Sequence, residues 1–164
     1  MAAFTLVELL VVISIIALLL GIIVPSYFSI QKKAKVTKAK VTVKNLETAF
    51  KAYLDYYRAW PAAFGGGAGT EMLKPVVDIL NGGNSDKMVF YEFDTNAVAN
   101  GALDPWSDPS ADESTWRRYR FQVDNYDNKI NPAPDGSGTI LRSVIVWSDG
   151  PDRTNTSDDI KSWD

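Results

Sequence analysis

The chain has 164 residues and a formal net charge of −3, and it contains no cysteine and no histidine. Because cysteine is missing, no disulfide can stabilise the fold, and because both residue types are missing, the usual zinc ligands and the usual general base of a nucleophilic triad are excluded. The composition therefore argues against an enzyme and favours a structural or binding role.

A run of apolar residues near the amino terminus predicts a membrane-spanning helix. The run extends from Leu6 to Val24 and is followed by Pro25. At about 1.5 Å per residue, a helix of this length crosses most of a hydrocarbon layer of about 30 Å. We expect a kink or local unwinding at Pro25, because proline removes one backbone donor from the helix.

Glu8 is the one charged residue within this apolar run. An ionised side chain at the centre of a membrane helix costs about 2.5 to 3.5 kcal/mol on insertion scales, so we expect a partner that neutralises it. No basic residue precedes Lys32, which lies too far along the helix. Cleavage between Ala3 and Phe4 would place a free α-amine one helical turn before Glu8. We therefore expect this carboxylate to pair with such an amine, within one chain or between two chains.

The amino-terminal sequence Phe-Thr-Leu-Val-Glu-Leu-Leu-Val-Val-Ile, with the small Ala3 before it and Pro25 some twenty residues later, resembles the class III signal of type IV pilins and type II secretion pseudopilins. The resemblance implies that a prepilin peptidase cleaves between Ala3 and Phe4 and that Phe4 becomes N-methylated. It also implies that Glu8 and Pro25 act in assembly. Residues 1–3 would then be a leader remnant, and residues 4–25 the transmembrane assembly helix.

The next segment predicts an amphipathic helical stem, residues 26–60, that ends near Trp60 and Pro61. Apolar residues recur at helical spacings of three and four: Val36, Ala39, Val43, Leu46, Phe50, Tyr53 and Tyr57. Seven lysines and one glutamate lie between Gln31 and Lys51, mostly on the other faces of this helix. These lysines either contact anionic lipid head groups, contact acidic heads of neighbouring subunits, or form a solvated face.

Residues 61–164 predict a globular head. A glycine-rich linker over Phe64–Thr70 precedes a short helix from about Thr70 to Leu80, and residues 87–93 look extended. A turn is expected at 103–106, and β-branched and aromatic residues predict strands over 119–123 and 139–147. Two or three antiparallel strands would then lie across the stem, which gives an α+β fold: a long N-terminal helix packed against a small antiparallel sheet with a C-terminal loop.

Two loops rich in Asp and Asn are candidate calcium sites, because calcium binds six to eight oxygens from carboxylates, amides and carbonyls in irregular loops. The loop after the last strand carries four aspartates, Asp149, Asp152, Asp158 and Asp159, whose mutual repulsion a divalent cation would relieve. The loop between the two best strands offers a second candidate site at Asp124 and Asp127. The alternative for both loops is that these residues simply form turns.

The second half of the chain resembles the major pseudopilin of the type II secretion system. The similar stretches are Asp-Pro-Trp106 before a strand, then Trp-Ser-Asp-Gly-Pro151, and Ser-Asp-Asp-Ile-Lys-Ser-Trp163 at the end. In that family the loop after the last strand binds calcium, which implies Asp149, Asp158 and Asp159 as ligands, with Asp152 as a further one.

The resemblance implies a structural subunit of a pseudopilus that supports protein secretion across the outer membrane. Its partners would be further copies of itself, minor pseudopilins, the inner-membrane assembly platform, the prepilin peptidase and inner-membrane lipid, without nucleic acid. The lysine-rich flank alone predicts a cytoplasmic head, whereas the resemblance implies a single-pass protein of the bacterial inner membrane with a periplasmic head, and we follow the resemblance. The alternatives are a type IV pilin for adhesion, motility or DNA uptake, and a membrane-anchored calcium-dependent binding module.

Overall fold

The computed structural model describes residues 5–65, 69–152 and 156–164. The helices are α1 (Leu6–Tyr57), α2 (Lys74–Leu80) and α3 (Thr95–Asn100), and the strands are β1 (Thr70–Glu71), β2 (Arg120–Val123), β3 (Val144–Ser148) and β4 (Ile160–Lys161). Two single turns of 3₁₀-helix lie at Ala62–Phe64 and Glu113–Thr115. The long N-terminal helix packs against a small four-stranded antiparallel sheet, which confirms the predicted α+β class.

The chain divides into two units, of which the first ends at Lys35 and the second begins at Val36. In the first unit, the large apolar side chains of α1 from Leu6 to Ile30 are exposed. Among the described residues, α1 is the only helix that is long and apolar enough to cross a membrane. It continues through Pro25 without interruption, so the local unwinding considered there is not found. One missing donor is tolerated because the helix propagates cooperatively on both sides.

In the second unit, the predicted apolar stripe of the stem forms one side of the core. Ala39, Val43, Leu46 and Phe50 are fully buried, while Val36 and Tyr57 pack at its margin. The helix ends at Tyr57 rather than near Trp60, because Arg58 adopts a positive φ of 57° that terminates the helical hydrogen bonding.

The sheet has the order β1-β2-β3-β4, and all its pairs are antiparallel. All five residues of β3 are buried, and Phe121 of β2 pairs with Val146 of β3. The ring of Phe121 stacks on Phe50 of the stem with centroids 4.8 Å apart, and Phe64 meets Phe50 edge-on at 5.0 Å. The Phe50–Phe121 contact joins the sheet to the stem, and the Phe50–Phe64 contact joins the 3₁₀ turn after the stem to the same core.

Several local predictions for the head were wrong. Thr70 opens strand β1 instead of a helix, because it pairs with Phe121, and α2 starts only at Lys74 with Pro75 in its first turn, where no backbone donor is needed. Residues 87–93 form no strand apart from an isolated bridge between Val89 and Asn81. Helix α3 was not predicted, and the strand expected from residue 139 begins at Val144.

A buried glutamate links the stem to the segment before β3. Glu47 is 4% exposed, and its Oε1 accepts hydrogen bonds of 2.6 Å from both Lys51 and Arg142. Burial raises the pKa of Glu47, but the hydrogen bonds and charges of the two cations outweigh burial and lower it overall. The ionised carboxylate therefore stabilises the folded head.

Replacing Glu47 by glutamine is expected to lower the free energy of unfolding by about 2 kcal/mol at pH 7, since two partly exposed cations lose the charged acceptor of their hydrogen bonds. Because the folded-state pKa of Glu47 is depressed, its contribution is present above the ordinary glutamate pKa and is lost as the pH falls through the lower folded value. Urea denaturation should show a smaller difference between wild type and variant at pH 3 than at pH 7. The exposed Glu92→Gln change is the control, and an equal loss for both variants would contradict the prediction.

Candidate functional site

The amino-terminal end of α1 is closed by a reciprocal pair of hydrogen bonds between Thr5 and Glu8. The backbone N–H and the hydroxyl of Thr5 donate to Glu8 Oε2 at 2.8 and 2.7 Å, and the Glu8 N–H donates to the Thr5 hydroxyl at 3.2 Å. This is a capping box, which satisfies backbone donors that the first helical turn leaves free. The Thr-x-x-Glu spacing in the sequence could have predicted it.

The capping box occupies only one of the two carboxylate oxygens of Glu8. Both Thr5 donors bond to Oε2, and no described residue donates a hydrogen bond to Oε1. The proposed cleavage site at Ala3 and the predicted amine of Phe4 lie outside the described residues. The pairing of Glu8 with an amine is therefore still a prediction.

The C-terminal acidic loop joins β3 to β4, and strand pairing brings its two ends together. Ser148 pairs with Ile160, so Asp149 and Asp159 leave the sheet side by side. Gly150, at φ 68°, lies against the backbone of Asp158, where an added Cβ would come within 2.6 Å of the carbonyl oxygen. Only glycine permits this approach without a shift of the loop.

The carboxylates of this loop repel one another. Burial raises the pKa of Asp159 to about 6, and the charge of Asp149 is the second cause. Asp158 and Asp152 raise it further, and Lys161 opposes the shift. In addition, Asp158 Oδ1 is buried without a hydrogen-bond partner among the described residues. Clustered anionic oxygens with an unsatisfied buried atom fit the chemistry of a calcium site.

Two arginines, Arg117 and Arg120, already contact the acidic loop. Arg120 Nη1 lies 3.4 Å from Asp149 Oδ2, and the indole N–H of Trp147 donates to Asp149 Oδ1 at 3.2 Å. Arg117 donates to the backbone carbonyls of Gly150 and Pro151. Among the described residues, no three acidic side chains are already arranged to hold a metal ion. A bound cation would therefore have to draw the carboxylates together and compete with Arg120 for Asp149.

The loop between β2 and β3 shows a different arrangement at the second candidate calcium site. Asp124 is buried, and its two oxygens accept hydrogen bonds from the indole N–H of Trp60 at 3.0 Å and the backbone N–H of Asn128 at 2.6 Å. Asp127 accepts from the Lys129 N–H at 3.0 Å, as in an Asx turn. These bonds support the alternative of a structural turn for this loop.

Asp104 supports the base of the acidic loop, a role that the sequence did not predict. Its Oδ1 accepts from the backbone N–H groups of Trp106 and Ser107, and its Oδ2 accepts from the Ser148 hydroxyl at 3.0 Å. The same hydroxyl accepts from the Gly150 N–H at 3.2 Å. Burial raises the pKa of Asp104, and these donors oppose the shift. The Asp-Pro-Trp sequence signalled only the turn, because Ser148 lies far away in the chain.

No family model, no curated protein and no solved structure matches this chain.

Proposed function

We propose that the chain is a structural subunit of a type II secretion pseudopilus, which polymerises through its N-terminal helix after prepilin peptidase cleavage. The observation that carries the proposal is the position of Glu8. It is the one charged residue in the apolar part of α1 from Leu6 to Ile30, it lies four residues after Phe4 in the sequence, and one of its carboxylate oxygens has no donor among the described residues. Such a group is costly in a membrane unless it serves a contact.

Glu8 would act by selecting the axial stagger between neighbouring subunits. Apolar helices that move from lipid to a helix bundle gain no hydrophobic free energy, because lipid tails are as apolar as the helices themselves. Apolar contact alone therefore specifies the register poorly. One ion pair in surroundings of low dielectric is strong, and it forms only where the Glu8 carboxylate meets the amine of a neighbour. Correct addition of a subunit would satisfy this pair, and a slipped register would leave two charges unpaired.

The second unit has the buried contacts that a head under mechanical force needs. The stem stripe from Ala39 to Phe50 is buried against the sheet, and the Glu47–Arg142 pair adds a link to the segment before β3. A force on the stem would therefore reach the sheet through buried contacts rather than through a flexible linker. This supports a structural role for the head.

Calcium is the proposed stabiliser of the C-terminal loop. Asp149, Asp158 and Asp159, with Asp152 beside them, would hold the ion, which would supply the positive charge that offsets their repulsion. This role replaces that of a disulfide, since the chain contains no cysteine. The loop connects β3 to β4, which is an edge strand of the sheet. An ordered loop would therefore fix the position of this edge strand for contact with a neighbouring head.

Mass spectrometry of the amino terminus tests the processing step. After expression with a prepilin peptidase, the membrane-extracted chain should begin with N-methylated Phe4. The Ala3→Leu variant is the control, since a bulky residue before the cleaved bond should leave the precursor intact. An intact Met1 in the unaltered chain would contradict the proposal and favour the membrane-anchored binding module.

A further inference from the structure

Three lysines directly follow the apolar segment of α1. Lys32, Lys33 and Lys35 are exposed, and none of them forms an ion pair with a described residue. The sequence contains no Asp or Glu between Glu8 and Glu47. The positive charge of these lysines, here called the lysine collar, is therefore not neutralised by its own part of the helix.

The side chains of the lysine collar extend towards the apolar segment of α1. At 3.6 residues per turn, the three side chains cover an arc of about 160° around the helix. In an α-helix the Cα–Cβ bonds tilt towards the N-terminus, so a long side chain covers the turn that precedes its own Cα. The ammonium groups thus lie near the level at which the apolar side chains end, and their aliphatic stems can lie along that surface.

An aromatic pair marks the same level. Tyr27 and Phe28 are both more than half exposed, and their rings meet edge-on with centroids 6.0 Å apart. The Tyr27 hydroxyl accepts a hydrogen bond of 2.7 Å from the side-chain amide of Gln31. Tyrosine is enriched where membrane helices cross from the hydrocarbon to the head-group layer. The lysine collar therefore lies on the polar side of an apolar-to-polar boundary.

We propose that the lysine collar binds the anionic head groups of membrane lipids while the subunit is stored in the bilayer. The inference rests on the membrane insertion that the proposed function requires. A lysine close to an anionic surface strengthens association about fivefold. Three of them give the stored subunit a preference for anionic lipid, and these contacts have to break before the helix leaves the bilayer. Extraction from the membrane is then opposed by the lysine collar and favoured by the Glu8 contact with a neighbour.

Electron paramagnetic resonance with spin-labelled lipids tests this inference on the full chain. The chain is reconstituted in phosphatidylcholine bilayers that contain spin-labelled phosphatidylglycerol or spin-labelled phosphatidylcholine, and the fraction of lipid immobilised by the protein is measured for each. At low salt we expect a preference for phosphatidylglycerol of about fivefold or more, decreasing as the salt concentration rises. The Lys32→Gln, Lys33→Gln, Lys35→Gln triple variant should lose most of this preference.

The matched control removes three positive charges from the head, through Lys74→Gln, Lys87→Gln and Lys129→Gln, and should keep the preference. Equal association of both lipids with the wild-type chain overturns the inference, as does an equal loss in the two triple variants. Chemical cross-linking between copies of the chain is measured in parallel. If the lysine-collar variant loses this cross-linking while its lipid preference is unchanged, the lysines bind the acidic heads of neighbouring subunits and the inference is also wrong. If neither lipid is immobilised, the helix is not in the bilayer, and the proposed function fails as well. A retained preference in a chain that keeps Met1 after expression with a prepilin peptidase would contradict only the proposed function.

Discussion

Replacing Glu8 by leucine is expected to abolish filament formation while leaving membrane insertion intact. Leucine removes the charge from an otherwise apolar helix, so insertion becomes easier rather than harder. The loss should come at assembly, because the amine of a neighbouring Phe4 would then be buried without a counter-charge, and an unpaired charge in that position costs several kcal/mol. Filament yield by electron microscopy and the membrane-bound fraction of the chain measure the two effects separately.

Two further variants separate the charge of Glu8 from its role in the helix cap. Thr5→Val removes the hydroxyl that bonds to Glu8 Oε2 but keeps the carboxylate, and the loss of a cap costs about 1 kcal/mol. It should reduce assembly less than Glu8→Leu does. Ser14→Ala removes a hydroxyl that donates to the Val11 carbonyl in the same helix and to no other described residue, and it should have no effect. Filaments at wild-type yield from Glu8→Leu would remove the proposed role.

The sequence predicted the parts of the fold that depend on local periodicity. The prediction of an apolar stripe on the stem from Val36 to Tyr57 was correct, because apolar residues spaced three and four apart lie on one side of a helix, and that side is then buried. Strands β2 and β3 were located from their β-branched and aromatic residues. In contrast, β1 and β4 contain two residues each and exist only because they pair with β2 and β3. Their formation depends on partners that are distant in the sequence, which local patterns do not reveal.

The candidate sites show the same division between local and distant information. The acidic loop was recognised because four aspartates lie within one short stretch, and the Glu8 cap has a local signature with Thr5. The contacts of Arg120 with Asp149, and of Arg117 with the Gly150 carbonyl, join the acidic loop to residues about thirty positions earlier in the chain. Nothing in the spacing of these residues indicated that two arginines contact this loop, where they would compete with a bound cation.

In the calcium-free protein, the mutual repulsion in the acidic loop should lower the stability that Asp159 contributes as the pH rises. The pKa of Asp159 is raised from 3.8 to about 6 in the folded state, so folding takes up a proton between these values. Stability contributed by this residue is therefore greatest below pH 4, falls through this window and reaches its lowest level above pH 6. At pH 7 the penalty is about 1 kcal/mol once the screening of a partly exposed group is included.

Replacing Asp159 by asparagine is expected to have opposite effects with and without calcium. Without calcium the variant should melt at a higher temperature than wild type at pH 7, because the repulsive charge is gone. With calcium at about 100 times its dissociation constant, wild type should gain about 2.7 kcal/mol, or about 10 °C in melting temperature. The variant lacks one charged ligand and should gain much less, so the order of the two melting temperatures should reverse. Thermal denaturation of the full chain in detergent, with calcium or a chelator, measures both.

This reversal distinguishes a metal site from a loop that is merely acidic. If Asp159 were only an unfavourable charge in a turn, the variant would be the more stable protein under both conditions, and calcium would change neither melting temperature. Asp127→Asn is the matched control, because its side chain caps the Lys129 N–H in the other acidic loop and lies outside the proposed site. It should respond to calcium as wild type does. An Asp127→Asn variant that loses the calcium response while Asp159→Asn keeps it would place the ion in the loop between β2 and β3 instead.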